Sequence, residues 1–368
     1  MLEKLKINRK LLKELDFSII FIALIISLFG AINIYSAIGA SVFKSQIIWI
    51  VLSFIIMYFI LAFDYSLIAG YANIIYWSGV VLLLLNDTIF KSTVNGAGSW
   101  MKIGSITLGQ PSEFAKLGMV IMLAKRLDDM EGNINNFKNF CILAVYAIIP
   151  MVLIVIQPDM GMTMVCFFTA LGIFYAAGLD NKVIGGGFLA IFILIVIVWN
   201  SPLMHEYWKV RLISFVTGGD ELGSGHQLRQ SCIAIGSGGL FGKGFLKGTQ
   251  VAGGFIPESH TDFIFAVVGE EWGLIGAIFL LTLYMIILYK FVKIAKTSKD
   301  ILGSVLTIGI LSTMLFSILQ NIGMTIGVMP ITGITLPLMS YGGSSILSSF
   351  MAIGLVLNVG MRRKKINF

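Results

Sequence analysis

The chain is poor in charge. Asp, Glu, Lys and Arg make up 12% of its 368 residues, about half of the roughly 25% usual in soluble domains. That scarcity excludes a soluble globule, a disordered tail and a coiled coil. Cysteine is scarcer still: Cys141, Cys166 and Cys232 stand far apart with no C-x-x-C or other metal spacing. Neither a disulfide framework nor a zinc site is indicated. The pI of 9.2 comes without a Lys/Arg block large enough to form a soluble basic face, which argues against a nucleic-acid partner. Two familiar catalytic signatures are incomplete. Around Gly242-Lys243 a P-loop would need glycine where Ser237 stands and Ser or Thr where Gly244 stands. His205-Glu206 is followed by Lys209 where a zinc-protease helix requires its second histidine.

What the chain has instead is apolar length. Hydrophobic residues are 57% of the total and the mean hydropathy is +0.92. Runs with few charges fall near 17–36, 45–63, 67–85, 111–127, 140–157, 161–177, 183–199, 263–289, 304–324 and 344–361. Each is near the ~20 residues that span a bilayer, so the expected fold class is an all-α polytopic membrane protein with ten transmembrane helices. The first run, Phe17 to Tyr35, exceeds the ~7–15 residues of a cleavable signal core and reads as a retained span. Lys and Arg set the orientation. With the N-terminus inside, the cytoplasmic pieces hold 17 of the 26 basic and nine of the 19 acidic residues. Both termini, residues 1–16 and 362–368, are therefore expected in the cytoplasm.

The outer side carries the longer connections: 86–110, 325–343, and a large extracytoplasmic loop, 200–262, between spans seven and eight. Residues 205–216 mix apolar and basic side chains and could lie at the interface as an amphipathic helix. Residues 218–254 hold twelve glycines interleaved with apolar Ile233, Ile235, Leu240, Phe241, Phe245 and Leu246, more than a linker needs. The whole is expected to form one membrane domain.

Several polar residues stand out against this background. Asp262 ends Pro257-Glu-Ser-His-Thr-Asp262 and runs straight into an apolar helix. An acid at the water–lipid boundary suits a general base. Equally, Thr261 or Asp262 could simply cap that helix, and a capping role would lower basicity. Glu270 and Glu271 lie two to three turns further on, inside the span, where ionisable groups are costly and are paired or functional. Glu113 and Lys116 share one face of span four at i,i+3 and can neutralise each other. Lys102, Lys209, Arg211, Arg229, Lys243 and Lys247 are outer-loop cations, several beside glycines whose N–H groups can approach an anion. They suit a lipid-linked diphosphate or acidic lipid headgroups.

Six segments in this order resemble the SEDS family of peptidoglycan polymerases, nearest its rod-shape branch. They are Asn95-Gly-Ala-Gly-Ser-Trp100 with Gln110-Pro-Ser-Glu-Phe-Ala-Lys116, then Gln157-Pro-Asp-Met-Gly161, then Gln230 to Gly244. Pro257 to Gly273 follows, then Asn321 to Pro337, and last Met339-Ser-Tyr-Gly-Gly-Ser-Ser345. The resemblance implies a SEDS-type bundle of ten helices in the bacterial cytoplasmic membrane. It also implies glycosyl transfer that joins lipid II units into glycan strands at the outer face, for elongation and shape, with inversion and release of undecaprenyl diphosphate. Asp262 falls on the family's essential acid. Glu113 and Lys116 match its span-four pair, and Trp100, Lys102, Gln230, Ser231, Lys243, His260 and Ser344 fall inside motifs as substrate-binding candidates. Ser99 departs from the pattern, since many relatives place a basic residue there, and Lys102 could substitute. Implied partners are lipid II, undecaprenyl-diphosphate-linked glycan, a class B penicillin-binding protein that cross-links, and elongation-complex membrane proteins. The resemblance implies no particular cofactor, though a divalent cation could assist the diphosphate. The reading from a different class is a lipid II flippase, with Glu113, Lys116, Glu270 and Glu271 lining its path.

Overall fold

The computed structural model describes residues 9–89, 91–94, 97–103, 106–199, 209, 213, 215 and 223–363. Except for Lys209, Ile213 and Phe215, the segment expected as an interfacial helix over 205–216 lies outside them, and so does Arg211. The apolar runs are mostly helical, and the third, 67–85, is divided between two helices at Tyr71. A short α1 (Arg9–Lys13) precedes α2 (Phe17–Ile38), α3 (Ala40–Ala62), α4 (Tyr65–Gly70) and α5 (Ala72–Thr88). Then come α6 (Pro111–Asp129), α7 (Phe137–Ile156), α8 (Met160–Ala176) and α9 (Asn181–Trp199). The large loop holds α10 (Ser224–Gly238) and the one-turn α11 (Thr249–Ala252). After it follow α12 (Ile264–Lys296), α13 (Ile301–Thr325) and α14 (Gly343–Met361). Six of them, α2, α3, α7, α12, α13 and α14, are long and apolar enough to cross a membrane. The chain is a multi-pass membrane protein. The connection between α5 and α6 adds a small antiparallel sheet in the order β1-β2-β3, formed by Lys91–Val94, Ala97–Ile103 and Ile106–Gly109.

The few polar residues are spent largely at helix starts. Asp16, Asp64, Asp159, Asp300 and Asn136 accept the N–H groups of Ser18, Ser66, Met162, Gly303 and Lys138. Each satisfies a donor that the first turn leaves free. Pro111 opens α6, where its missing N–H costs nothing. At one end of the bundle Lys290 pairs with Asp16 at 2.8 Å and Arg362 with Asp64 at 3.0 Å. The Tyr65 hydroxyl donates to Asp300 at 2.7 Å at the same end. Between the ends, α13 is the central post, packed against α6, α8, α12 and α14, while α14 packs on α3 and α6 on α5.

Helix α12 is broken at Gly273, whose φ of 64° and ψ of −159° are not helical. A break frees backbone groups, and in lipid each one left unsatisfied costs several kcal/mol. The large loop supplies the missing partners. The N–H groups of Lys243 and Gly244 donate to the carbonyls of Glu270 and Glu271 at 2.9 and 3.0 Å. In return, Leu274 and Ile275 donate to the carbonyls of Gly239 and Leu240 at 2.9 and 3.2 Å. Non-helical backbone is tolerated here because other protein backbone completes it.

This exchange requires Gly242 to lie against the helix. Its φ is +77°, and a Cβ there would run into the Glu271 carbonyl. Gly242→Ala therefore meets both the left-handed penalty of about 1–2 kcal/mol and a backbone collision. It should lower the thermal midpoint in detergent by several degrees; a midpoint equal to wild type would contradict the loop-to-break packing.

Candidate active site

A cavity of about 800 Å³, its open mouth included, runs into the bundle among α6, α8, α12, α13 and α14. Its lining is polar towards the starts of α6, α8 and α14, with Gln110, Glu113, Lys116, Asp159, Ser345 and Ser348, and apolar deeper in, with Val120, Phe291, Met314 and Ile353. Glu113 and Lys116 form an ion pair at 2.9 Å with side chains only 6% and 13% exposed. The Ser348 hydroxyl donates to the same Glu113 oxygen at 2.5 Å. Asp159, while capping α8, also accepts the Gln110 side-chain amide at 2.8 Å. The Gln110 backbone N–H donates to the Ser344 hydroxyl at 3.2 Å. One residue thus joins the α6, α8 and α14 starts around the cavity mouth.

Asp262 is not itself among the lining residues but lies beside one of them, Gly333. Its Oδ2 is 3.5 Å from where a Cβ on Gly333 would stand, and Gly333 lines the cavity. Gly333 turns the loop with a φ of +76°, so a side chain there would be strained. Asp262 stands one residue before the N-cap position of α12. The residue that caps α12 is Phe263, with no side-chain cap bond, because Thr261 and Asp262 lie in the preceding turn. The Thr261 hydroxyl points back to Glu258 at 3.1 Å. His260, two residues before Asp262, lies against the Tyr341 ring at 5.7 Å, and its Nδ1 is buried without a hydrogen-bond partner. Burial pushes the His260 imidazole below its ordinary value of 6.5, with the Glu258 carboxylate opposing.

The remaining candidates divide into two groups. Ser344 is at the mouth with Glu113 and Lys116. Trp100 is half-buried in β2, opposite Ser92; Lys102 follows in the same strand, opposite Thr107, and its side chain is outside the described residues. The second group sits at the helix break, about 12 Å along α12 from Asp262 at 1.5 Å per residue. There the fully buried Glu270 accepts the N–H groups of Gln250 and Val251 at 2.8 and 3.0 Å. It also accepts Lys243 Nζ at 2.8 Å, and that ammonium donates to Thr249 at 2.7 Å. Lys243 is held as a strut for the loop. Ser231 is bonded to the Thr325 carbonyl at 2.7 Å, which ties α10 to α13, and neighbouring Gln230 is half-buried. Glu271 accepts from the Ser36 hydroxyl of α2. Among the described residues no three His, Cys, Asp or Glu side chains gather closely enough to hold a metal ion.

Sequence reasoning passed over Asp159, Gln110, Ser348 and Gly333. Asp159 lies inside a quoted motif, but an Asp at a helix start reads as a cap, and its second bond spans 49 residues. Ser348 is one of several serines in an apolar helix, and its bond to Glu113 spans 235 residues.

Residues 11–365 match the FtsW/RodA/SpoVE family, described as cell cycle protein. The chain is 34% identical over 357 residues to the Escherichia coli (strain K12) protein named peptidoglycan glycosyltransferase MrdB, covering 96% of this chain and 95% of that one. Among solved structures it is similar to a chain of a peptidoglycan synthase complex described as coordinating polymerization and crosslinking. That match has a TM-score of 0.82 and 28% identity, over 94% of this chain and 97% of that one. It is also similar to the Thermus thermophilus rod shape determining protein RodA, with a TM-score of 0.72 and 27% identity over 95% and 98% of the two chains.

Two outcomes follow from the geometry. Removing one partner of a buried ion pair costs about 3–5 kcal/mol because the other charge is stranded. Lys116→Met should therefore destabilise the chain in denaturant unfolding more than the Glu113→Gln/Lys116→Met double variant; additive losses would contradict a buried, mutually dependent pair. For His260 the folded imidazole binds its proton less readily than the unfolded one. Stability therefore rises with pH between the depressed value and 6.5, and declines as pH falls through that window. Thermal midpoints from pH 7 to pH 5 should fall less steeply for His260→Gln than for wild type, and equal slopes would count against it.

Proposed function

The chain belongs to the FtsW/RodA/SpoVE family, and from that premise we propose that it is a peptidoglycan glycosyltransferase with Asp262 as its catalytic base. It joins lipid II units into glycan strands at the outer face of the cytoplasmic membrane, in cell elongation and shape. The observation that carries the reading is the placement of Asp262. Asp262 precedes the N-cap position of α12, and its carboxylate lies beside Gly333, which lines a cavity with a polar mouth and an apolar interior. Such a cavity suits a substrate that joins a sugar diphosphate to a hydrocarbon chain.

The ten apolar helices are ten spans in this reading. The basic end, with Lys290 and Arg362, faces the cytoplasm with both termini, and Asp262 and the cavity mouth face outward. The acceptor sugar hydroxyl attacks the anomeric carbon of the donor as Asp262 takes the hydroxyl proton. The new C–O bond forms as the bond from that carbon to the diphosphate oxygen breaks, and undecaprenyl diphosphate leaves with its electron pair. A single displacement inverts the anomeric carbon and needs no nucleophile on the protein. Lys116 contributes positive charge near the leaving diphosphate, with Glu113 and Ser348 holding its side of the cavity in place. Ser344, bonded to the Gln110 N–H, belongs to the mouth, where the headgroup sits. The flippase reading fits less well, because a transporter places its polar groups at the midplane and opens to both faces. Here Glu270 is bonded to the outer loop and the cavity's polar lining lies at one end.

Strand cross-linking is a separate reaction, and the chain shows no transpeptidase motif. A class B penicillin-binding protein is the partner this reading requires. The likeness to a chain of a synthase complex that coordinates polymerization with crosslinking supports it.

Losing a general base costs about 10²–10⁴-fold in rate. Asp262→Asn should abolish polymerisation of purified lipid II, with expression and thermal midpoint as in wild type. Unchanged polymer yield from that variant would overturn the assignment.

A further inference from the structure

The turn that carries Asp262 is gripped from outside through three consecutive carbonyl oxygens. The Tyr341 N–H donates to the carbonyl of His260 at 2.9 Å. The Ser340 hydroxyl donates to that of Thr261 at 2.6 Å. The Asn321 side-chain amide donates to that of Asp262 at 2.8 Å. Two of these three donors also hold the opposite wall. Asn321 donates its second amide proton to the Ile334 carbonyl at 2.7 Å, and the Ser340 hydroxyl accepts the Leu336 N–H at 2.8 Å. Ile334 follows Gly333, the residue that faces the Asp262 carboxylate and lines the cavity. Asn321 is fully buried and Ser340 is 2% exposed, so water does not replace either bond.

We propose that Asn321 and Ser340 are positioning residues that fix the distance between the Asp262 carboxylate and the cavity wall against which the acceptor hydroxyl is placed. The proposal rests on the reading of Asp262 as base. Neither side chain faces the substrate; each acts through the peptide it holds. The residue types fit the task. Bridging two carbonyls from one side chain requires two N–H protons on one nitrogen, which Asn supplies and Asp or Ala does not. Holding a carbonyl and an N–H together requires a hydroxyl, which donates once and accepts as well. Ser340→Thr keeps that function and Ser340→Ala deletes it.

Proton transfer needs heavy atoms within about 2.6–3.2 Å, and a displacement of about 1 Å can cost on the order of 10²-fold. A loosened clamp should thus slow the chemical step and leave substrate binding alone. The test measures initial rates of lipid II polymerisation against substrate concentration for the purified full chain. It compares Asn321→Ala, Ser340→Ala, Ser340→Thr and Asp262→Asn, with a thermal midpoint for each. The expected result is a kcat lower by about 10- to 100-fold in both alanine variants, with KM close to wild type and most of kcat recovered by Ser340→Thr. If Asn321→Ala does not fold, the Ser340 pair carries the test. Wild-type kcat in the Ser340→Ala chain, a loss confined to KM, or a loss matched by the unfolded fraction would overturn the clamp, provided Asp262→Asn is inactive. Activity in Asp262→Asn would instead overturn the base assignment beneath it.

Discussion

A polar group enclosed in a lipid-embedded protein has no water to turn to, so it must find a partner within the fold. In a chain where 12% of residues are charged, that requirement decides where irregular backbone and carboxylates can stand. The break at Gly273 exists because the loop completes both of its sides. Glu270 is tolerated at zero exposure because two N–H groups and an ammonium meet it. Three carbonyls in the turn before α12 are free of helical geometry because α13 and the 330–342 segment supply their donors.

These arrangements tie the segments around Asp262 to the neighbouring helices. The break anchors the large loop to α12, Ser231 anchors α10 to α13, and Gln110 draws the starts of α6, α8 and α14 together. The Lys290 end of the bundle is simpler: capped helix starts and ion pairs such as Lys290 with Asp16. Chemistry that transfers a sugar between lipid-linked substrates needs a base held still beside a pocket that accepts both headgroup and hydrocarbon. In the proposed function, the asymmetry between the two ends of the bundle answers that need.

Much of this was legible in the sequence, and the reason is local. Apolar runs of near-bilayer length mark helices, and six of the helices are long and apolar enough to cross a membrane. Glu113 and Lys116 at i,i+3 pair as their spacing requires. Asp262 was visible as an acid before an apolar helix, but whether it capped that helix depended on where the first turn begins, a matter of one or two residues. The partners of Lys243 and Ser231 lie 27 and 94 residues away, so their bonds were hidden. Gly273 sits in Glu-Glu-Trp-Gly-Leu-Ile, which reads as unbroken helix; only the loop packed against it makes the break affordable. The strands of 91–109 are short and polar, too weak a pattern to separate from loop.

In the proposed reaction, sugar transfer occurs at Asp262, beside the Gly333 wall of the cavity. The most direct measurement is a structure of the full-length Asp262→Asn chain with lipid II bound. It should place a sugar hydroxyl within about 2.6–3.2 Å of the residue 262 side chain, with the diphosphate on the Lys116 side and the hydrocarbon running toward Val120 and Ile353. Lipid II bound at the basic end, or with its sugars beyond reach of residue 262, would contradict it.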